Sequence, residues 1–337
     1  MRCVRLPLAV TIVTALAVGA LAAQEKIALQ QKFKPGLELL YAFTMTGVGG
    51  MDIRGPGAPQ GATDYFIDMG IDIRQKHRSV DENGVGEIEL SLDRMQMNQQ
   101  MAGMDQAIEL EDGQLRVLVN GEVMFDTADP EAGQDNPLAL LVGQSLVLRI
   151  DPTGKLVGLP QLPLLKKLVP GIGDIDVEKL LEMGKGDLPP EPVAVGETWE
   201  VDQPIPFITT AEGTPPVQKT VCKLEGLEQV LGRNCARITS TTELDAAGTS
   251  MPMPSPMPMG PANAKVSIDM RGMEFNFMQT RWFDYENGID VKLTMDMEMS
   301  MDIGETIEFE QDGKQQKIEL DIKIEGLEMI GEMVLVG

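Results

Sequence analysis

The sequence predicts a mainly β protein, with long antiparallel strands in one or two curved, half-barrel-like sheets and short central helices. Three observations predict it. Apolar and polar residues alternate with a period of two over long stretches, Asn-Gly or Asp-Gly pairs separate those stretches, and helical spacing is confined to one central region. The alternation is clearest in Ile318, Leu320, Ile322 and Ile324, set between Glu319, Asp321, Lys323 and Glu325. It recurs in Ile289, Val291, Leu293, Met295, Met297, Met299 and Met301, whose alternate positions are mostly polar. Successive side chains of a strand point to opposite faces, so these runs suit strands with one apolar face. The pairs at 83–84, 112–113, 120–121, 287–288 and 312–313 supply the positive φ of tight hairpin turns. Asp151-Pro152-Thr153-Gly154 adds a turn between Leu146–Ile150 and Lys155–Leu159. Helical spacing appears in 162–169 and 176–183, with Asp174 or Asp176 as N-cap and Gly184 as stop.

The amino terminus predicts export. Arg2 and Arg5 precede an apolar run from Leu6 to Leu21, and Ala20-Leu21-Ala22 gives the small-x-small cleavage pattern, so residues 1–22 read as a secretory signal peptide. No later apolar stretch is long enough to span a bilayer as a helix. The roughly 315 residues that remain are enough for a substantial core. They divide into an N-terminal antiparallel β region (23–159), a helical and Pro-rich connector (160–192) that ends in Leu188-Pro189-Pro190-Glu191-Pro192, and a C-terminal antiparallel β region (193–337). Two Gly- and Pro-rich segments, Gly47 to Thr63 and Ala246 to Asn263, read as surface loops between strands. Glu-Gly-Leu-Glu occurs at both 225–228 and 325–328, which duplication and shared turn chemistry explain equally well.

Charge and composition exclude several function classes. Cleavage removes two of 28 basic residues and none of 52 acidic ones, moving the formal net charge from −24 to −26. Such a surface repels nucleic acid and anionic headgroups. With 4% aromatic residues against 23 Met, aliphatic and thioether side chains must fill the interior. His77 is the single histidine, which rules out a site built on several histidines and leaves any triad dependent on that residue; flanked by Arg74, Gln75, Lys76 and Arg78, it reads as a solvated strand residue. A carboxylate-based hydrolase survives on paper, but no spacing singles out a pair of acids. Asp81 to Glu89 resembles part of an EF-hand loop, yet Val85 and Leu92 fall where oxygen ligands are required, so a hairpin turn is the better reading. Cys222 and Cys235 would favour a disulfide in an oxidising compartment, but hairpin register sets them apart unless Gly226 kinks the strand; the pairing stays open.

Lys32-Phe33-Lys34-Pro35-Gly36 leading to Tyr41, Asp151-Pro152-Thr153-Gly154-Lys155, Val195-Gly196-Glu197-Thr198-Trp199 and Gly232-Arg233-Asn234-Cys235-Ala236-Arg237-Ile238 resemble the recurring elements of a secreted β-rich family of unknown function found in planctomycete-type bacteria. The resemblance implies export and a β-rich fold, and brings no catalytic residue.

These readings converge on a secreted or periplasmic protein without a catalytic constellation. Its candidate site is the strand face of Met295, Met297, Met299 and Met301, which would take a hydrophobic or lipid-like ligand. One alternative is a copper(I)-binding envelope protein that uses Met251, Met253, Met257 and Met259, because thioethers select soft ions. Another is a purely structural or interaction protein. No cofactor is expected apart from that copper(I) alternative. The expected partner is a hydrophobic small molecule or an envelope protein, with no nucleic acid and no membrane span after signal cleavage.

Overall fold

A computed structural model describes residues 25–56, 62–101, 104–129, 143, 145–158, 186–204, 209–210, 217–245, 249–251, 265–311 and 314–337. The described residues form sixteen strands and no helix. In chain order they are β1 (Glu38–Arg54), β2 (Ala62–Val80), β3 (Gly86–Met101), β4 (Met104–Glu111), β5 (Gln114–Val119), β6 (Glu122–Asp126), β7 (Ser145–Ile150) and β8 (Leu156–Gly158). Then follow β9 (Thr198–Pro204), β10 (Thr209–Thr210), β11 (Val217–Val230), β12 (Arg233–Asp245), β13 (Thr249–Met251), β14 (Lys265–Asp284), β15 (Ile289–Gln311) and β16 (Lys314–Leu335). The mainly β expectation holds, while the short central helices are not borne out: residues 162–169 and 176–183 lie outside the described residues.

All strands belong to one open antiparallel sheet, in the order β6-β5-β4-β3-β2-β1-β16-β15-β14-β12-β11-β9. β1 pairs with β2 on one side and with β16 on the other, so the two ends of the chain meet in the middle of the sheet. Hairpins account for most of the remaining neighbours. Asp112-Gly113 and Asn120-Gly121 take positive φ at both turn positions, as the two-residue hairpin turn requires. Asn83-Gly84 and Asn287-Gly288 also sit at turns between consecutive strands. Residues 312–313 lie outside the described residues, but the Gln311 and Lys314 that flank them are paired.

One expected loop is a strand. β1 runs on to Arg54 and β2 begins at Ala62, so most of the Gly47–Thr63 segment is ladder. Glycine here marks close approach between neighbours. A Cβ on Gly47 would lie 2.7 Å from the Met329 side chain and 2.8 Å from that of Ile67, and one on Gly49 would lie 2.9 Å from the Leu327 backbone. Strand glycines thus leave room for bulky neighbours. Of the second expected loop, 249–251 is β13, and residues 246–248 and 252–263 lie outside the described residues.

Two bulges interrupt the central ladders: an extra residue of β16 at Gly326, where φ is +56°, shifts its register against both β1 (between Val48 and Gly50) and β15 (between Met299 and Met301), and an extra residue of β14 between Met270 and Gly272 lies opposite Asp302 and Ile303 of β15. Each bulge bends its strand and steepens the local twist. The other Glu-Gly-Leu-Glu segment also sits at a register shift, between Leu224 and Gly226.

Gly49→Ala is expected to cost about 1–3 kcal/mol, because its methyl meets fixed backbone. The same change at Gly70, where a Cβ would meet nothing within 4 Å, is expected to be neutral or stabilising by up to ~1 kcal/mol. Urea unfolding of the two variants checks this.

Candidate functional site

Directly opposed residues of a ladder share a face, so the registers define what each side of the sheet presents. One row reads Leu110, Met95, Ile71, Phe43, Met333, Leu293 and Arg281 from β4 to β14. The next reads Ile108, Met97, Met69, Met45, Gly331, Met295 and Gln279, and the third Gln106, Gln99, Ile67, Gly47, Met329, Met297 and Phe277. Arg281 is the one charged residue in these three rows. The side chains are mostly half-buried, while Asp296, Glu298, Glu328 and Ile330 on the opposite side are exposed. That opposite side carries cross-strand ion pairs such as Arg94–Asp72 at 3.0 Å and Lys76–Glu38 at 2.8 Å. They are exposed pairs and add little stability.

Met295, Met297, Met299 and Met301 all lie half-buried on the apolar side, as their alternation predicts. Met297 stands between Met329 and Phe277. All described strands belong to the one sheet, and among the described residues the buried clusters around Leu29, Tyr41 and Leu110 include none of these four methionines.

The face is covered at one end. Segments 25–37 and 186–196 cross there, and Leu29, Leu188 and Val193 pack with Cys222, Leu224, Ala236, Ile238 and Phe283. Ile27 and Val193 bond each other through their backbones, Gln31 donates to the Pro152 carbonyl at 2.7 Å, and Lys32 Nζ donates to the carbonyls of Tyr285 and Glu286. The strap therefore ties together turns distant in sequence. Beneath it Arg281, 7% exposed, donates to Asp187 at 2.6 Å and to both carboxylate oxygens of Asp290. Burial opposes its charge, but the two carboxylates outweigh burial and hold the guanidinium above the ordinary arginine range. Trp199 Nε1 donates to the Asp187 carbonyl at 2.8 Å.

His77 is a correction to the solvated residue expected from its neighbours: it is 1% exposed. Lys34 N–H donates to its Nδ1 at 3.1 Å, and its ring lies 5.6 Å from that of Phe33. Nδ1 is therefore the acceptor, which in the neutral ring puts the proton on Nε2; the Gln75 amide, 2.9 Å away, accepts from it when turned to present its oxygen. The clue was parity. Lys76 and Arg78 point to solvent, whereas Gln75 and His77 share the face of Ile71 and Ile73. For the Arg281–Asp187–Asp290 cluster no local spacing gives a signal, since Asp187 is separated from Arg281 by 94 positions.

Cys222 and Cys235 are free and buried, so the pairing left open by the sequence is not made. The kink expected at Gly226 is present, yet Cys222 still lies opposite Ser240 and Cys235 opposite Glu228. Burial pushes the Cys222 thiol up to about 12 and the Cys235 thiol to about 11, which suppresses thiolate chemistry. Asp81 accepts the N–H groups of Asn83 and Val85 and so closes a turn, as expected. Met251 ends β13, while Met253, Met257 and Met259 lie outside the described residues. Among the described residues no three His, Cys, Asp or Glu side chains converge as a metal site, and no helix is long and apolar enough to cross a membrane.

No family model and no curated protein matches the chain. Among solved structures it is similar to lipovitellin, from a study of lipid–protein interactions, with 11% identity and a TM-score of 0.41 over 91% of this chain and 26% of that one. The chain thus spans about a quarter of the lipovitellin chain. It is also similar to the Pseudomonas aeruginosa proteins OpdQ (5% identity) and OpdL (8%), each with a TM-score of 0.19 over 89% of this chain and 99% of theirs.

Burial holds His77 below the ordinary histidine range. The unfolded chain then binds the proton more readily, so the stabilising contribution is complete above the unfolded value of about 6.5 and is lost as pH falls toward the folded value. Asp284 acts lower. Burial opposes its ionisation, but bonds from the Asn287 side chain and backbone and from Arg233 hold its carboxyl below the ordinary aspartate range, so its contribution is lost only below about pH 4. Urea midpoints measured from pH 7.5 to 5 should fall for wild type and fall less for His77→Gln.

Proposed function

We propose that this is an exported, non-enzymatic protein that holds a hydrophobic, lipid-like molecule on the face of Met295, Met297, Met299 and Met301. One observation carries the reading: an apolar face several strands wide whose methionines stay half-buried and, among the described residues, join none of the buried clusters around Leu29, Tyr41 and Leu110. With strands about 4.8 Å apart and residues about 3.4 Å apart, the seven strands from β4 to β14 and the three rows make an area of order 30 by 20 Å. Soluble monomers rarely leave apolar patches above a few hundred Å² uncovered, and larger ones mark binding surfaces. The finer features of the proposal are a curved, half-barrel-like sheet, for which the bulges of β14 and β16 are support, and secretion into an extracellular or periplasmic space, for which the amino-terminal signal pattern is support.

The face assignment itself is testable by stability. Met297→Asp should cost ~2 kcal/mol in denaturant unfolding, because a carboxylate there is desolvated between Met329 and Phe277, whereas Glu298→Lys on the solvated face should change stability by under about 0.5 kcal/mol. Equal costs would refute the assignment.

The ligand role needs a binding result. A fluorescent apolar probe should bind wild type, and a folded Met297→Trp variant should bind it at least tenfold more weakly, since the larger indole between Met329 and Phe277 takes up the surface on which the probe lies. No probe uptake by delipidated wild type would remove the binding reading and leave the face as a structural surface.

A further inference from the structure

Resting on that reading, we infer that the ligand is an uncharged lipid that lies across the strands with its polar end at the amides of Gln99 and Gln106, with further such molecules beside it on the neighbouring apolar rows. The chemistry of the face supports the first part. In the three rows from β4 to β14 the single cation, Arg281, is already bonded to Asp187 and Asp290 beneath the strap. A fatty-acid carboxylate or an anionic headgroup would meet no free counter-ion on these rows, on a chain of formal net charge −24. Uncharged ester or hydroxyl groups need only hydrogen-bonding side chains.

The row through Met297 supplies such groups at one end. Gln99 and Gln106 oppose each other on β3 and β4, both half-buried, and beyond them come Ile67, Gly47, Met329, Met297 and Phe277. At the far end Thr242 is buried, and its hydroxyl is bonded to that of Thr220 at 2.7 Å. The row is thus polar and accessible at one end and closed at the other. From β2 to β14 the apolar part crosses four strand gaps, about 19 Å at the usual spacing, close to the ~15 Å that one leaflet of acyl chain occupies in a bilayer. Width argues for more than one molecule. Neighbouring rows on this face are about 7 Å apart, and the Met295 and Phe43 rows repeat the apolar pattern beside the Met297 row. A single acyl chain would cover only a fraction of the face, whereas a layer of chains covers it.

The experiment uses the delipidated mature chain and four probes: dioleoylglycerol, phosphatidylcholine, phosphatidylglycerol and oleate, read by native mass spectrometry and by fluorescent-probe displacement. Dioleoylglycerol is expected to displace the probe at least tenfold more effectively than phosphatidylglycerol or oleate, with two or more molecules per chain. Gln99→Arg, which places a cation at the polar end, should raise oleate affinity at least tenfold while leaving the urea midpoint close to wild type. Oleate binding wild type as well as dioleoylglycerol does, or a strict one-to-one complex, would overturn this inference while the apolar-ligand reading stands. Failure of every lipid while the apolar probe still binds would do the same; failure of the probe as well would sink both. A stable dimer in light scattering that excludes the probe would make a second copy the occupant and overturn the inference.

Discussion

A β-sheet with one apolar face and one charged face is stable in water only when the apolar face is covered. Much of this structure follows from how that requirement is met at one end of the sheet. At the covered end, segments 25–37 and 186–196 lie over the face, and the best-packed cluster forms there around Leu29, Leu224 and Phe283. Away from it, Leu110, Leu115 and Phe125 form a second buried cluster at the β4–β6 edge, and the methionines between the two stay half-buried. The distribution of methionine fits that environment. An unbranched thioether adapts to a changing neighbour where a rigid aromatic would need a fixed one.

The strap also explains why charge is buried at an otherwise apolar end. Arg281 sits in the apolar face pattern and is kept ionised by Asp187 and Asp290, each from a different part of the chain. Removal of either carboxylate would leave a buried guanidinium only partly compensated, and such losses are costly. The cluster therefore couples the seating of residues 186–196 to that of β14 and β15. His77 does the same for residues 34–37: its neutral ring accepts the Lys34 N–H, and its backbone bonds to those of Gly36 and Leu37. Specific polar contacts, rather than extra apolar area, fix where the strap lies.

The strands and their turns were legible because period-2 alternation and Asn-Gly or Asp-Gly pairs are local signals. The Met face was legible for the same reason, since four methionines at alternate positions must share a side. What the alternation does not carry is which strands become neighbours across long sequence gaps. The pairing of β1 with β16 brings Gly47 against Met329, and that contact turns an apparent glycine loop into a strand. His77 was misjudged because its charged neighbours in sequence occupy the opposite face, and the residues that bury it arrive from the strap. The short central helices rested on residues 162–169 and 176–183, which lie outside the described part of the chain.

The bulges at Gly326 of β16 and between Met270 and Gly272 of β14 bear on a difficulty peculiar to such repetitive strands. A slip of one residue would turn a strand inside out, but a slip of two would set Met299 where Met297 had been and keep every side chain on its proper face. Where Met follows Met at alternate positions, side-chain chemistry barely separates those two alignments. An irregularity in the ladder does separate them, because after a slip the bulged residue of one strand no longer meets the place prepared for it on the next. β15 lies between the two bulged strands and has its alignment fixed from both sides, while the bulge of β16 fixes β1 as well. A pattern that is degenerate as chemistry thereby becomes unique as geometry.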